Sequence, residues 1–253
     1  MTLEQLLDTA EDHRLAGQYD DAKAGYDRIL NDAPNDSLIH AHALRGLAEV
    51  HRMLEHTRES KAFYEQAIAG YASQNNHNGL GHAHLGLGQL NRHDHELAVA
   101  ESTIKTALTH FFKCNDAYGN ADAHIELGHI HLARHDFDQA IQMFNNAHDA
   151  YRALGDDWGM ASATFGSGKA SLQLNNTDNA ETQFKAALEG FTKINDRLGQ
   201  ANANKALGQL FKTRHQFADA RACFLNALTL FNKMNETSEA AKIEDQLGQL
   251  AML

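Results

Sequence analysis

The chain has 253 residues, 43% apolar and 22% charged, with one proline, two cysteines and a formal charge of −11. That composition suits a folded chain and excludes wholesale disorder, a disulfide framework and a cationic surface for nucleic acid. No run approaches the roughly 18 apolar residues of a membrane span. The start, MTLEQLLDTAEDH, lacks the basic-then-apolar order of a secretory signal, so a cytoplasmic protein is expected. Near-absence of proline predicts an almost wholly helical chain, because proline breaks helix interiors.

In chain order, residues 1–38 form a short unit marked by Ala10, Gly17, Tyr19, Ala22, Tyr26, Leu30 and Pro34. From there the sequence repeats every forty residues without a gap, in blocks starting at Ile39, Gly79, Gly119, Gly159, Gly199 and Glu239. Leu87-Gly88, Leu127-Gly128, Leu207-Gly208 and Leu247-Gly248 share one slot with Leu47-Ala48 and Ser167-Gly168. Further columns read Ser60, Ala100, Ala140, Ala180, Ala220; then Tyr64, Ile104, Phe144, Phe184, Phe224; then Ala67, Ala107, Ala147, Ala187, Ala227. The four-then-three spacing keeps these last three columns on one helical face.

Each block therefore predicts two antiparallel helices. First helices are expected near 39–54, 79–93, 117–134, 157–174 and 197–214, second helices near 57–74, 97–114, 137–154, 177–194 and 217–234, and a terminal helix over 239–253. Asn75, Asn115, Gly155, Asn195 and Asn235 occupy one turn column, where a left-handed residue is expected to end a helix. Asn76, Asp116, Asp156 and Asp196 follow as N-caps. A pair cannot bury its apolar stripe alone, so the pairs must stack.

These columns resemble the tetratricopeptide repeat (TPR) family. Residues 1–38 are similar to its 34-residue form, and the later blocks to the 40-residue form of Pins/LGN-type adaptors and bacterial regulators. The resemblance implies an all-α fold: a right-handed α-solenoid of six helix pairs plus a C-terminal capping helix, as a single domain over 1–253. It also implies that the first helices line a concave binding groove. Helical spacing then selects His42, Arg45, Glu49 and Arg52; His82, Leu85, Gln89 and Arg92; Asp122, Ile125, His129 and Leu132; Ser162, Phe165, Lys169 and Leu172; Asn202, Lys205, Gln209 and Lys212. Six of these are basic and two acidic, giving a formal +4 within an acidic chain. Ile125, Leu132, Phe165 and Leu172 form an apolar middle. The pattern predicts a groove for an acidic or amphipathic peptide or helix of a protein partner.

No Walker loop, His-Glu-x-x-His or Gly-x-Ser-x-Gly motif occurs, so no catalytic residue and no cofactor is expected. Gly86-Leu-Gly88 lies mid-helix and reads as close helix packing. Seventeen histidines raise the question of a metal. Glu126-x-x-His129 occurs once, whereas a di-iron bundle needs that motif twice, so no metal site is expected. His13, His51 and His131 fall in a column buried between helices, and His95, His135 and His215 in turns. The leading expectation is a non-enzymatic interaction scaffold. Two alternatives stand beside it: a peptide-sensing regulator that acts through a partner, and a scaffold that self-associates as a homodimer through the helix ending in Leu247, Leu250, Met252 and Leu253.

Overall fold

The structure is a computed structural model that describes residues 1–252; Leu253 lies outside them. Among the described residues there are thirteen α-helices and no strand. They are α1 (Leu3–Leu15), α2 (Tyr19–Asp32), α3 (Leu38–Met53), α4 (Thr57–Ser73), α5 (His77–His93), α6 (Leu97–Cys114), α7 (Ala117–Ala133), α8 (Phe137–Leu154), α9 (Asp157–Gln173), α10 (Thr177–Lys193), α11 (Arg197–Thr213), α12 (Phe217–Lys233) and α13 (Thr237–Leu250). Every expected repeat-helix boundary up to α12 falls within two residues of these. This is an all-α solenoid. The chain forms two compact units, Met1–Glu126 and Leu127–Leu253.

The turns carry the periodicity. Asn75, Asn115, Gly155, Asn195 and Asn235 all have positive φ, between 52° and 71°, as their column predicts. A second column does the same: Glu55, His95, His135, Asn175 and His215, with φ between 57° and 64°. Histidine and asparagine are among the non-glycine residues that tolerate this region. The side chains of Asn76, Asp116, Asp156 and Asp196 each accept the backbone N–H of the glycine three residues on. One helix is thus stopped and the next started within two or three residues.

In the second unit the core is a series of aromatic wedges. Phe144 and Phe184 are fully buried. A Cβ added at Gly128 would meet Phe144 at 2.6 Å, and one at Gly166, on the following pair, would meet the same ring at 2.5 Å. The small residues exist because the ring fills the space on both sides. In the first unit Tyr64 takes the equivalent place against Gly86. The next column position breaks the pattern: Ile104 replaces the aromatic, and Glu126 stands where Gly86 and Gly166 stand elsewhere. The shorter wedge and the longer partner occur together.

The terminal helix closes the second unit. Ala240 and Ile243 are buried in the last core cluster, and Leu247 and Leu250 pack against it. Its exposed positions include Lys242, Glu244, Asp245 and Gln249, which make a polar outer face. Of the apolar residues at its end, Leu247 and Leu250 face inward and Met252 is exposed, while Leu253 lies outside the described residues.

Candidate functional sites: one cleft in each unit

In the first unit, α3, α5 and α7 present a charged cleft of about 230 Å³, lined by Arg52, Gln89, Arg92, His93 and Glu126 among others. Arg92 Nε donates to Glu126 Oε2 at 2.9 Å, and Gln89 Nε2 donates to Glu126 Oε1 at 3.1 Å. Glu126 is nearly buried, so this carboxylate is held by its two donors. Arg52 donates through Nε and Nη2 to Glu49 Oε2, and the Tyr64 hydroxyl donates to Glu49 Oε1. Burial opposes ionisation of Glu49, but Arg52 and the Tyr64 hydroxyl outweigh it and hold the carboxyl below its ordinary range. Burial pushes the Tyr64 phenol up, and the Glu49 charge adds to it. Further along, Glu11 accepts Arg14 at 2.7 Å and lies 3.7 Å from Arg45.

In the second unit, α7, α9, α10 and α11 enclose an apolar cleft of about 260 Å³. Its floor is Leu132, Phe165, Leu172 and Phe184, and its rim carries Lys169, Gln173, Asn202, Lys205 and Gln209. Phe165 lies 5.6 Å from Phe184 and 6.5 Å from Phe191, centroid to centroid, so the floor is anchored to two core rings. Lys205 Nζ donates to Glu239 Oε2 at 2.7 Å and sits 5.8 Å from the centre of the Phe231 ring. Hydrogen bonds from Lys205 and Lys242 hold the Glu239 carboxyl down at about 2.

The structure gathers seven residues chosen from sequence into this second cleft: Leu132, Phe165, Lys169, Leu172, Asn202, Lys205 and Gln209. It places Arg52, Gln89 and Arg92 on the first. Leu85 is buried and lines neither. Ile125 is half-buried and also lines neither. His129 packs edge-on against Phe144. Lys212 is turned to α13, donating to Gln246 and Gln249.

The expected +4 groove is corrected by its neighbours. Arg45, Arg52, Arg92 and Lys205 each lie beside a carboxylate, from Glu11, Glu49, Glu126 and Glu239 respectively. Three of those acids lie outside the columns read from sequence. A signal was present all the same: Arg92–Glu126, Lys205–Glu239, Lys212–Gln246 and His82–Asp116 are each separated by 34 residues. An i to i+34 comparison joins facing positions of successive first helices. His51 and His131 are buried as expected, and His95, His135 and His215 sit in turns.

Repeat, fold and turn geometry together define an all-α solenoid whose helix pairs resemble tetratricopeptide repeats. Residues 119–193 match the tetratricopeptide repeat family model. No curated protein matches the chain in sequence. Among solved structures, the chain is similar to a Rap protein complexed with competence and sporulation factor, with a TM-score of 0.71, 16% identity, and coverage of 96% of this chain and 73% of that one. BtubC from P. vanneervenii gives a TM-score of 0.70 and 17% identity, covering 93% of each chain. A signal-transduction ATPase of Pyrococcus horikoshii with a tetratricopeptide repeat sensor gives 0.77 and 14%, covering 96% of this chain and 37% of that one. At these identities the likeness is one of fold. No helix among the described residues is long and apolar enough to cross a membrane.

Proposed function

We propose that the protein is a non-enzymatic interaction scaffold, acting in the cytoplasm, that seats a large apolar side chain of a partner peptide or helix in the cleft of the second unit. The single observation that carries this reading is the Leu132, Phe165, Leu172 and Phe184 floor, apolar and open, ringed by lysine and amide groups. Apolar anchors supply the affinity in such contacts, while charges select and orient the partner. Lys169 and Lys205 favour a carboxylate next to the anchor. Asn202 and Gln209 suit the peptide backbone. The charged cleft of the first unit adds selectivity for acidic partners through guanidinium edges that Glu49 and Glu126 orient.

A random peptide library displayed on phage, selected against the tag-free protein, tests this. Enriched peptides should share one large apolar residue flanked by an acid. Phe165→Ala with Leu172→Ala should weaken them at least tenfold while helicity by circular dichroism holds. Peptides that bind the double variant as tightly as the wild type would move the site elsewhere.

The sensor reading has one observation in its favour. Rim and floor come from successive helix pairs, so a ligand bridging Leu132 on α7 and Gln209 on α11 would change how those pairs stack. A radius of gyration that shifts on binding a selected peptide supports it; an unchanged one removes it.

A further inference from the structure

The histidines are unevenly distributed: twelve of the seventeen lie in residues 1–126. Three of them meet between α5 and α6. His77 Nδ1 lies 3.1 Å from His110 Nδ1, and the two rings are 5.2 Å apart. The His84 ring is stacked parallel to His110 at 5.7 Å, and His84 Nδ1 is buried without a hydrogen-bond partner. The Nδ1 atoms of His77 and His110 are 33 residues apart and meet only through the helix pairing.

From this geometry we propose a two-imidazole binding site for a borderline divalent transition metal such as Zn²⁺, with His77 Nδ1 and His110 Nδ1 as its protein ligands. Two Zn–N bonds of about 2.0–2.1 Å spanning a 3.1 Å gap meet at about 100°, close to the tetrahedral angle. Both rings then take the Nε2–H tautomer, and the proton that one Nδ1 shares with the other is relocated through solvent. Among the described residues no three His, Cys, Asp or Glu side chains converge for a metal, so water fills the remaining positions. Burial, with His110 beside it, lowers the His84 pKa to about 4; burial, His77 and Lys113 lower that of His110.

The second histidine pair is the internal control. His51 Nδ1 and His56 Nδ1 are 3.3 Å apart, but His51 is nearly buried and stacked on Phe63, which leaves less room for a hydrated ion.

Titration calorimetry with Zn²⁺ alone, on tag-free protein at pH 7.5, reads the tightest site. One equivalent per chain is expected at that site. His110→Asn, which can still hydrogen-bond to His77, should weaken it at least tenfold, and His77→Ala likewise. His56→Ala should leave it unchanged. Thermal denaturation with and without Zn²⁺ gives a second reading: a rise in Tm present in the wild type and absent in His110→Asn. The proposal is overturned by no saturable binding in the wild type, by equal binding in wild type and His110→Asn, or by loss only with His56→Ala.

Discussion

The two units place different chemistry on the same columns. At the wedge position the first unit has Tyr64, whose hydroxyl must be paired once buried; it donates to Glu49, and Glu49 in turn draws in Arg52. The second unit has Phe144 and Phe184, which need no partner, and the position equivalent to Glu49 becomes His129 or Lys169. The Tyr64 hydroxyl joins an ion network above it, whereas the Phe184 ring floors an apolar cleft.

The largest expected effect strikes the wedge itself. Phe184→Ala should cost about 3–5 kcal/mol, the range for a buried aromatic deletion, and should also collapse the apolar cleft it floors. Chemical denaturation followed by far-ultraviolet circular dichroism reads this, and a loss below 1 kcal/mol would mean the ring is not the keystone. Next comes Tyr64→Phe, which leaves Glu49 half-buried and short of a donor. A loss of about 1–3 kcal/mol is expected from an unmet buried acceptor, against no loss if the hydroxyl were incidental.

Acid should separate the units. Burial lowers the pKa of His42, His51, His82, His84 and His110, all in the first unit. Arg45 adds to this at His42 and His82, while Asp116 opposes it at His82. A depressed histidine binds its proton more readily when unfolded, so its contribution is complete above about pH 6.5 and is lost as pH falls toward the folded value, about 4 for His84. The acid that steadies α13, Glu239, fails only as pH falls below its ordinary range toward about 2. Hydrogen exchange measured from pH 7 to pH 4 should show α3–α6 losing protection before α9–α12; simultaneous loss would break the comparison. The smallest effect is at the terminal helix. Leu250→Lys should cost about 1 kcal/mol through lost packing and leave light scattering unchanged. A drop in molecular mass instead would support the homodimer through α13.

Helix boundaries and one turn column were legible because they depend on local chemistry: a capping carboxylate, an asparagine at positive φ, a small residue opposite a ring. The apolar floor was legible too, since Leu132, Phe165 and Leu172 follow helical spacing on first helices. The electrostatics were not. Glu126 and Glu239 lie on different helices from the cations they hold, and a column read one helix at a time counts Arg92 and Lys205 as free. In the second turn column the turns at His95, His135 and His215 were legible, but their left-handed backbone was not, because the column opens with Glu55.

Those turns have a consequence for handling the molecule. Most connections from α3 onward are two or three residues long and bent through a left-handed position, so they offer no extended stretch for a protease to grip. The connection from Ala33 to Ser37 differs: Ala33 is extended, Pro34 follows, and the next three residues are open to solvent or half-open. Limited proteolysis should nick there first, and the exposed Asn35 and Asp36 are the place to insert a tag or a fluorophore without disturbing either cleft.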